Sequence, residues 1–228
     1  MSVILQTPTP NLEASLDFYS RLNFKTVEGL ANVFTDGKVY VEVNPDRYAR
    51  AGFKIHREDW SEVVHSLAAL TNVMKINEGY LLSDPAGVWI YLLEKAAPFE
   101  IVIGEKSESV LGNYAGICLE LIDICKAAAI YEAIGFKLTA GSPESGFASF
   151  SLDDFVVTLM KPLMCPHLFF NPSMTYFNGK VNNPIIINKV RQLGIPITEE
   201  ITHFNKEGIV DNIIIRDPGG FGFFVYND

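Results

Sequence analysis

Apolar residues recur along this chain with two spacings, every second position and every third or fourth, and the switches between them mark its elements. Val3 to Thr7 alternates as a strand. Asn11 then stands as the N-cap of an amphipathic helix whose Leu12, Leu16, Phe18 and Tyr19 form a stripe ending near Leu22. Ala31 to Phe34 and Val39 to Val43 read as a hairpin across Asp36-Gly37, because Asp-Gly supplies the positive-φ residues that a tight turn demands. A second stretch follows the same order. It has a strand at Gly52 to Ile55, then a helix through Trp60, Val63, Val64 and Leu67, capped by Asp59 with Glu62 three residues on. Strands at Tyr80 to Ser83 and Trp89 to Leu93 close it.

Residues 96–112 lack periodicity and carry Pro98, Gly104 and the charged run Glu105-Lys106-Ser107-Glu108, which predicts a linker. Beyond it the plan recurs. Gly116 to Leu121 is a strand, Asp123 caps a helix ending near Ile134, and Phe147 to Leu152 pairs with Phe155 to Met160. Met174 to Lys180 opens the last stretch, Asn183-Pro184 is expected to start its helix and Gly194 to end it, and strands at Ile213 to Arg216 and Gly222 to Tyr226 finish the chain.

The two halves also share residues. Phe18-Tyr19-Ser20-Arg21-Leu22-Asn23-Phe24-Lys25 recurs as Ile130-Tyr131-Glu132-Ala133-Ile134-Gly135-Phe136-Lys137. Asp84-Pro85-Ala86-Gly87-Val88-Trp89-Ile90-Tyr91 recurs as Asp217-Pro218-Gly219-Gly220-Phe221-Gly222-Phe223-Phe224. A repeat of this size predicts a site built by duplicating one supersecondary unit. The second copy is roughly 20 residues longer, and Leu163 to Pro172 reads as part of that insertion.

Composition narrows the partners. Acidic residues number 27 against 18 basic ones, so there is no basic face of the kind that nucleic acid requires. No apolar run approaches the ~20 residues of a membrane helix, and Met1 to Pro8 lacks a signal peptide's basic start, so a soluble cytoplasmic protein is expected, with no membrane partner. Cys118, Cys125 and Cys165 fit no metal spacing and read as reduced thiols. No phosphate loop, nucleotide fingerprint or Ser-His-Asp order occurs; Asp217-Pro218-Gly219-Gly220 precedes a strand, not a helix.

Four strand-helix-strand-strand-strand stretches resemble the vicinal oxygen chelate superfamily of glyoxalase I, bleomycin-resistance proteins and extradiol dioxygenases. So do helices ending in Phe-Tyr or Ile-Tyr before Asn-Phe-Lys or Gly-Phe-Lys, and an Asp-Pro-x-Gly turn before the last strand. The resemblance implies an α+β chain of two tandem glyoxalase-like domains, residues 1–95 and 113–228, joined by the linker 96–112. Each would be a pair of βαβββ units whose curved mixed sheets enclose a cleft. It also implies four metal-ligand positions per domain. In the first these fall on Ile4, Glu42, Gly52 and Tyr91; in the second on Gly116, Thr158 or Leu159, Thr175 and Phe224. One carboxylate among four does not make a hard-cation site, so no cofactor is expected, and a divalent metal would have to enlist Glu42, His56 or His167.

Strand alternation places Gln6, Tyr40, Glu42, Lys54, His56, Trp89 and Tyr91 on the inner face of the first domain, with Trp89 and Tyr40 stacking a planar ligand and Glu42, Lys54 and His56 orienting it. The second inner face, with Cys118, Glu120, Thr158, Thr175, Phe177, Phe224 and Tyr226, is more apolar. There Glu120 reads as the counterpart of Gln6 and as a carboxylate desolvated against a greasy cavity. The expectation is a metal-independent binder of a small, partly aromatic or apolar molecule, as a monomer or homodimer, with specificity in the first cleft. A metal-dependent lyase or dioxygenase and a degenerate interaction scaffold are the alternatives.

Overall fold

A computed structural model describes residues 1–227. Its elements fall into four units of one plan. The first is β1 (Ser2–Pro8), α1 (Leu12–Arg21), β2 (Lys25–Val27), β3 (Leu30–Thr35) and β4 (Tyr40–Asn44). The second is β5 (Gly52–His56), α2 (Ser61–Leu67), β6 (Met74–Ile76), β7 (Gly79–Ser83) and β8 (Trp89–Leu93). The third comprises β9 (Tyr114–Glu120), α3 (Ile124–Ile134), β10 (Lys137–Ser142), β11 (Phe147–Leu152) and β12 (Phe155–Met160), with a short 3-10 turn at Pro143–Ser145. The fourth comprises β13 (Ser173–Phe177), α4 (Gly179–Gln192), β14 (Ile197–Ile201), β15 (Asn212–Arg216) and β16 (Gly222–Tyr226). No described helix is long and apolar enough to cross a membrane.

Each pair of units makes one mixed eight-stranded sheet, in the order β2-β3-β4-β1-β5-β8-β7-β6 and, for the second, β10-β11-β12-β9-β13-β16-β15-β14. The opening strand of each unit runs parallel to that unit's last strand, β1 with β4 and β5 with β8, while β1 and β5 meet antiparallel at the centre. The duplication is carried in the burial as well. β1 and β9 share one pattern of buried and partly buried positions along their length.

Local chemistry sets the helix ends. Asn11 Oδ1 accepts from the Ala14 amide at 3.1 Å and Asp123 Oδ1 from Lys126 at 3.0 Å, which satisfies one orphan donor at each start. Two sequence expectations fail here. α2 has Trp60 as its first flanking residue with no side-chain cap; Asp59 instead accepts from Ser61, and Glu62 makes no return bond. α4 begins before Pro184, which lies inside it, because Asn183 is committed to tertiary bonds: its side chain accepts from Asn178 and donates to the Asp211 and Val225 carbonyls.

The core is continuous between the halves. Phe18 on α1 packs edge-on against Phe223 of β16 at 5.5 Å between centroids, and Phe53 of β5 against Phe155 of β12 at 5.4 Å. Residues 96–112 are not a loose connection. Gly104 donates to the Gly37 carbonyl, Glu108 to Asp36 and Val110 to Leu22, and Leu111 is fully buried, so the segment is a strap laid along the first half.

Candidate functional site

Cross-strand register settles which side chains share a face. In the first sheet Ile4, Lys54 and Tyr91 stand in one row across β1, β5 and β8, with Gln6 opposite Glu42 one step along. In the second, Gly116, Thr175 and Phe224 stand in the equivalent row, with Cys118 opposite Thr158. Two expected correspondences shift by two residues. Lys54, not Gly52, is the counterpart of Thr175. Cys118, not Glu120, is the counterpart of Gln6. Alternation fixes a face but not a position along it, so a two-residue error keeps the side chain on the right side and moves it about 6.6 Å along the strand.

The first cleft has a volume of about 350 Å³ and is lined by Ile4, Gln6, Glu42, Lys54, His56 and Tyr91, together with Asp46, Tyr48, Ala49, Glu78 and Lys95. Lys54 Nζ lies 2.7 Å from Glu42 Oε2. Gln6 accepts from Asn44 and donates to the Arg50 carbonyl. His56 is 5% exposed, and its ring nitrogens have no hydrogen-bond partner. Burial pushes its pKa down, opposed by poorly aligned contacts with the Lys95 and Ala96 backbone and reinforced by the charges of Lys95 and Lys54.

Tyr40 and Trp89 do not line this cleft. The strap covers Tyr40: its hydroxyl donates to the Val102 carbonyl at 3.0 Å and accepts from the Val102 amide, and its ring packs on Phe99. The expected Tyr40–Trp89 platform is therefore absent, and the aromatic rings lining the cleft are those of Tyr48 and Tyr91.

The second cleft is a cavity of about 360 Å³ with a predominantly apolar wall. Gly116, Cys118, Thr158, Thr175, Phe224 and Tyr226 come from the sheet, and Cys165, His167 and Phe169 from the irregular segment 161–172, which roofs it. Phe169 meets Phe224 edge-on at 4.9 Å, and Phe224 stacks on Tyr226 at 5.6 Å. Tyr226 Oη lies 2.7 Å from His167 Nε2, while His167 Nδ1 lies 2.7 Å from the Leu168 carbonyl. With Nδ1 protonated and donating to that carbonyl, Nε2 accepts the tyrosine hydroxyl. Thr175 Oγ1 is buried in the wall without a partner. Cys118 Sγ contacts Met160 Sδ at 3.1 Å, and burial, aided by neighbouring Cys165, pushes its thiol up to about 12, so it is packing and not a nucleophile.

Glu120 is absent from the cavity wall. It sits at the end of β9 and ties down the roof: Oε1 accepts from the Leu163 amide at 3.0 Å, and its backbone exchanges two hydrogen bonds with the Asn171 side chain. Glu199 pins the same segment through the Leu168 amide at 2.7 Å. Sequence reading found the sheet half of this cavity and missed the roof. The signal was the length of the second repeat together with the aromatic run His167-Leu168-Phe169-Phe170 inside its insertion.

The divalent metal that the resemblance implies does not fit either row. The first holds Ile4, Lys54 and Tyr91, with Glu42 one step along and already neutralised by the Lys54 ammonium at 2.7 Å, and the second holds Gly116, Thr175 and Phe224, with the Thr158 hydroxyl one step along. Among the described residues no group of three or more His, Cys, Asp or Glu side chains is arranged to hold a metal ion.

No family model matches the sequence, and no curated protein matches it significantly. Solved structures do match the fold. A catechol 2,3-dioxygenase aligns with TM-score 0.54 at 14% identity over 97% of this chain and 85% of its own. The 2,3-dioxygenase LapB from Pseudomonas sp. KL28 aligns at 0.52 and 14% over 97% and 89%. A variant of homoprotocatechuate 2,3-dioxygenase from B. fuscum aligns at 0.55 and 15% over 99% and 70%. At such identities the likeness is one of architecture. With its four βαβββ units in two sheets, the chain shares the tandem two-domain fold of these dioxygenase structures.

Proposed function

We propose that this protein binds a small, partly aromatic or apolar molecule without a metal, and that the second cavity holds it. One observation carries the reading: an apolar space of about 360 Å³ is walled by Phe169, Phe224 and Tyr226 and contains a buried hydroxyl, Thr175 Oγ1, with nothing to bond. Ligand sites combine a large apolar wall with a few placed polar groups, and an orphaned donor is the group that a ligand oxygen or nitrogen would satisfy. The first cleft is the poorer match for such a ligand. Its expected Tyr40–Trp89 platform is absent, and Glu42 and Lys54 satisfy each other.

The test is calorimetric titration of chelator-treated protein with planar aromatic probes carrying one hydroxyl, phenol and 2-naphthol, beside elemental analysis of untagged protein. Binding that persists without metal and weakens about tenfold in Phe224→Ala supports the reading. Stoichiometric iron, zinc, nickel or manganese, with binding that requires it, would overturn it in favour of a lyase or dioxygenase. No probe binding, beside a contiguous apolar surface engaging another protein, would favour a scaffold.

A further inference from the structure

The proposed function leaves the first cleft without an occupant, yet its chemistry is that of a second and different site. Three observations meet there. Lys54 and Glu42 form an ion pair at 2.7 Å that is neither sealed nor free in solvent, with side chains 17% and 22% exposed. Lys54 stands on the row where the fold would carry a metal ligand, so an ammonium built into the chain takes the place of a bound cation beside the carboxylate. His56, two residues along the same strand and therefore on the same face, lines the cleft with its ring nitrogens buried and contacted only by the Lys95 and Ala96 backbone, without a well-aligned partner.

The surrounding charges are spoken for. Lys95 pairs with Glu78 at 2.5 Å, and Asp46 accepts from the Tyr48 amide in its own loop. The Glu42–Lys54 pair is the more deeply set of the two, with side chains 17% and 22% exposed against 44% and 59% for Lys95 and Glu78. A lone anion drawn to Lys54 would strand Glu42, and a lone cation would strand Lys54; a molecule carrying both charges a bond or two apart leaves neither unpaired. We infer that the first cleft binds a small zwitterion of the amino-acid type, its carboxylate on Lys54 and its ammonium on Glu42, with His56 bonding a third polar atom. The imidazole suits that part, because in its neutral form it presents one donor and one acceptor.

Calorimetric titration of the intact protein with glycine, L-serine and L-phenylalanine, against acetate and methylammonium, tests this directly. The expected result is binding of at least one zwitterion about tenfold or more tighter than either singly charged ion, and a loss of about tenfold or more in each of Lys54→Gln and Glu42→Gln. Equal binding of acetate or methylammonium, or no amino acid bound by about 10 mM, overturns it, as does retention of full affinity in both variants. The wild-type comparison needs no variant, and thermal melting with 2-naphthol titration checks that the variants fold. Naphthol binding without zwitterion binding sinks this inference alone; zwitterion binding without naphthol binding sinks only the proposal for the second cavity.

Discussion

Tyr131 on α3 donates a 2.8 Å hydrogen bond to Asp84 Oδ2 in the turn before β8, across the boundary between the two sheets. Its repeat mate, Tyr19 on α1, does the same to Asp217 before β16 at 3.1 Å. The two motifs that mark the duplication are therefore each other's partners, crossed between halves. All four side chains are buried, so the hydrogen bonds are shielded from water.

Replacing either tyrosine with phenylalanine keeps the ring packing and strips one hydrogen bond from a buried carboxyl. Tyr131→Phe is expected to lower stability by about 1–3 kcal/mol in urea unfolding. Tyr19→Phe should cost less than Tyr131→Phe, because Thr7 also donates to Asp217, at 2.7 Å. The reverse order would show that the crossed bonds do not set the energetics.

Burial raises the carboxyls of Asp84 and Asp217 above the ordinary aspartate range, against the opposing pull of hydrogen bonds from Tyr131 and Val88 on one and from Thr7 and Phe221 on the other. A group that holds its proton more tightly folded than unfolded contributes stability that is complete below the unfolded pKa of about 3.9 and is lost as pH rises through the folded value. Asp84→Asn never ionises. Wild-type stability relative to that variant should fall as pH rises from about 4 toward neutrality, and urea midpoints across that interval would read it. A flat or rising difference would contradict the assignment.

Thr175→Val removes the unpartnered hydroxyl at nearly constant shape. Unfolding should show a gain of about 1 kcal/mol, because an unmet polar group leaves the core. The same change should weaken any hydroxyl-bearing probe of the second cavity. Gain of stability with loss of binding is the signature of a group kept for a ligand.

The two Asp-Pro turns differ at one position, Ala86 in the first and Gly219 in the second. A Cβ on Gly219 would lie 1.8 Å from the Pro8 carbonyl oxygen, a backbone atom that cannot step aside alone. Gly219→Ala should therefore cost about 1–3 kcal/mol or more, read by thermal or urea unfolding, although the equivalent residue tolerates a methyl group.

The strands the sequence concealed are all alike. β2, β6, β10 and β14 occupy the four sheet edges, and β2, β6 and β10 are largely exposed along their length. An edge strand with little buried on either face has no alternation to display, so Lys25–Val27 and Met74–Ile76 read as loop. The central strands were legible because β1 and β9 bury the same positions. The second cleft was half legible for a related reason. Thr175 and Phe224 follow from register, but His167 and Phe169 reach the cavity through an irregular roof that obeys no period and is anchored by Glu120 and Glu199. Likewise the withdrawal of Tyr40 depends on the strap at Val102, a contact between segments 62 positions apart.

The crossed tyrosine pairs bear on how such a chain came to exist. The first half contains both a donor, Tyr19, and an acceptor, Asp84, yet each finds its partner in the second half. A protein consisting of one half would carry both members of the pair and close neither on itself. Two copies meeting about a twofold axis would close both at once, in the isologous manner of a symmetric dimer. The pairs thus have the crossed arrangement of a subunit interface inside a single polypeptide, and fragments cut within the strap should recombine across them and the core they share.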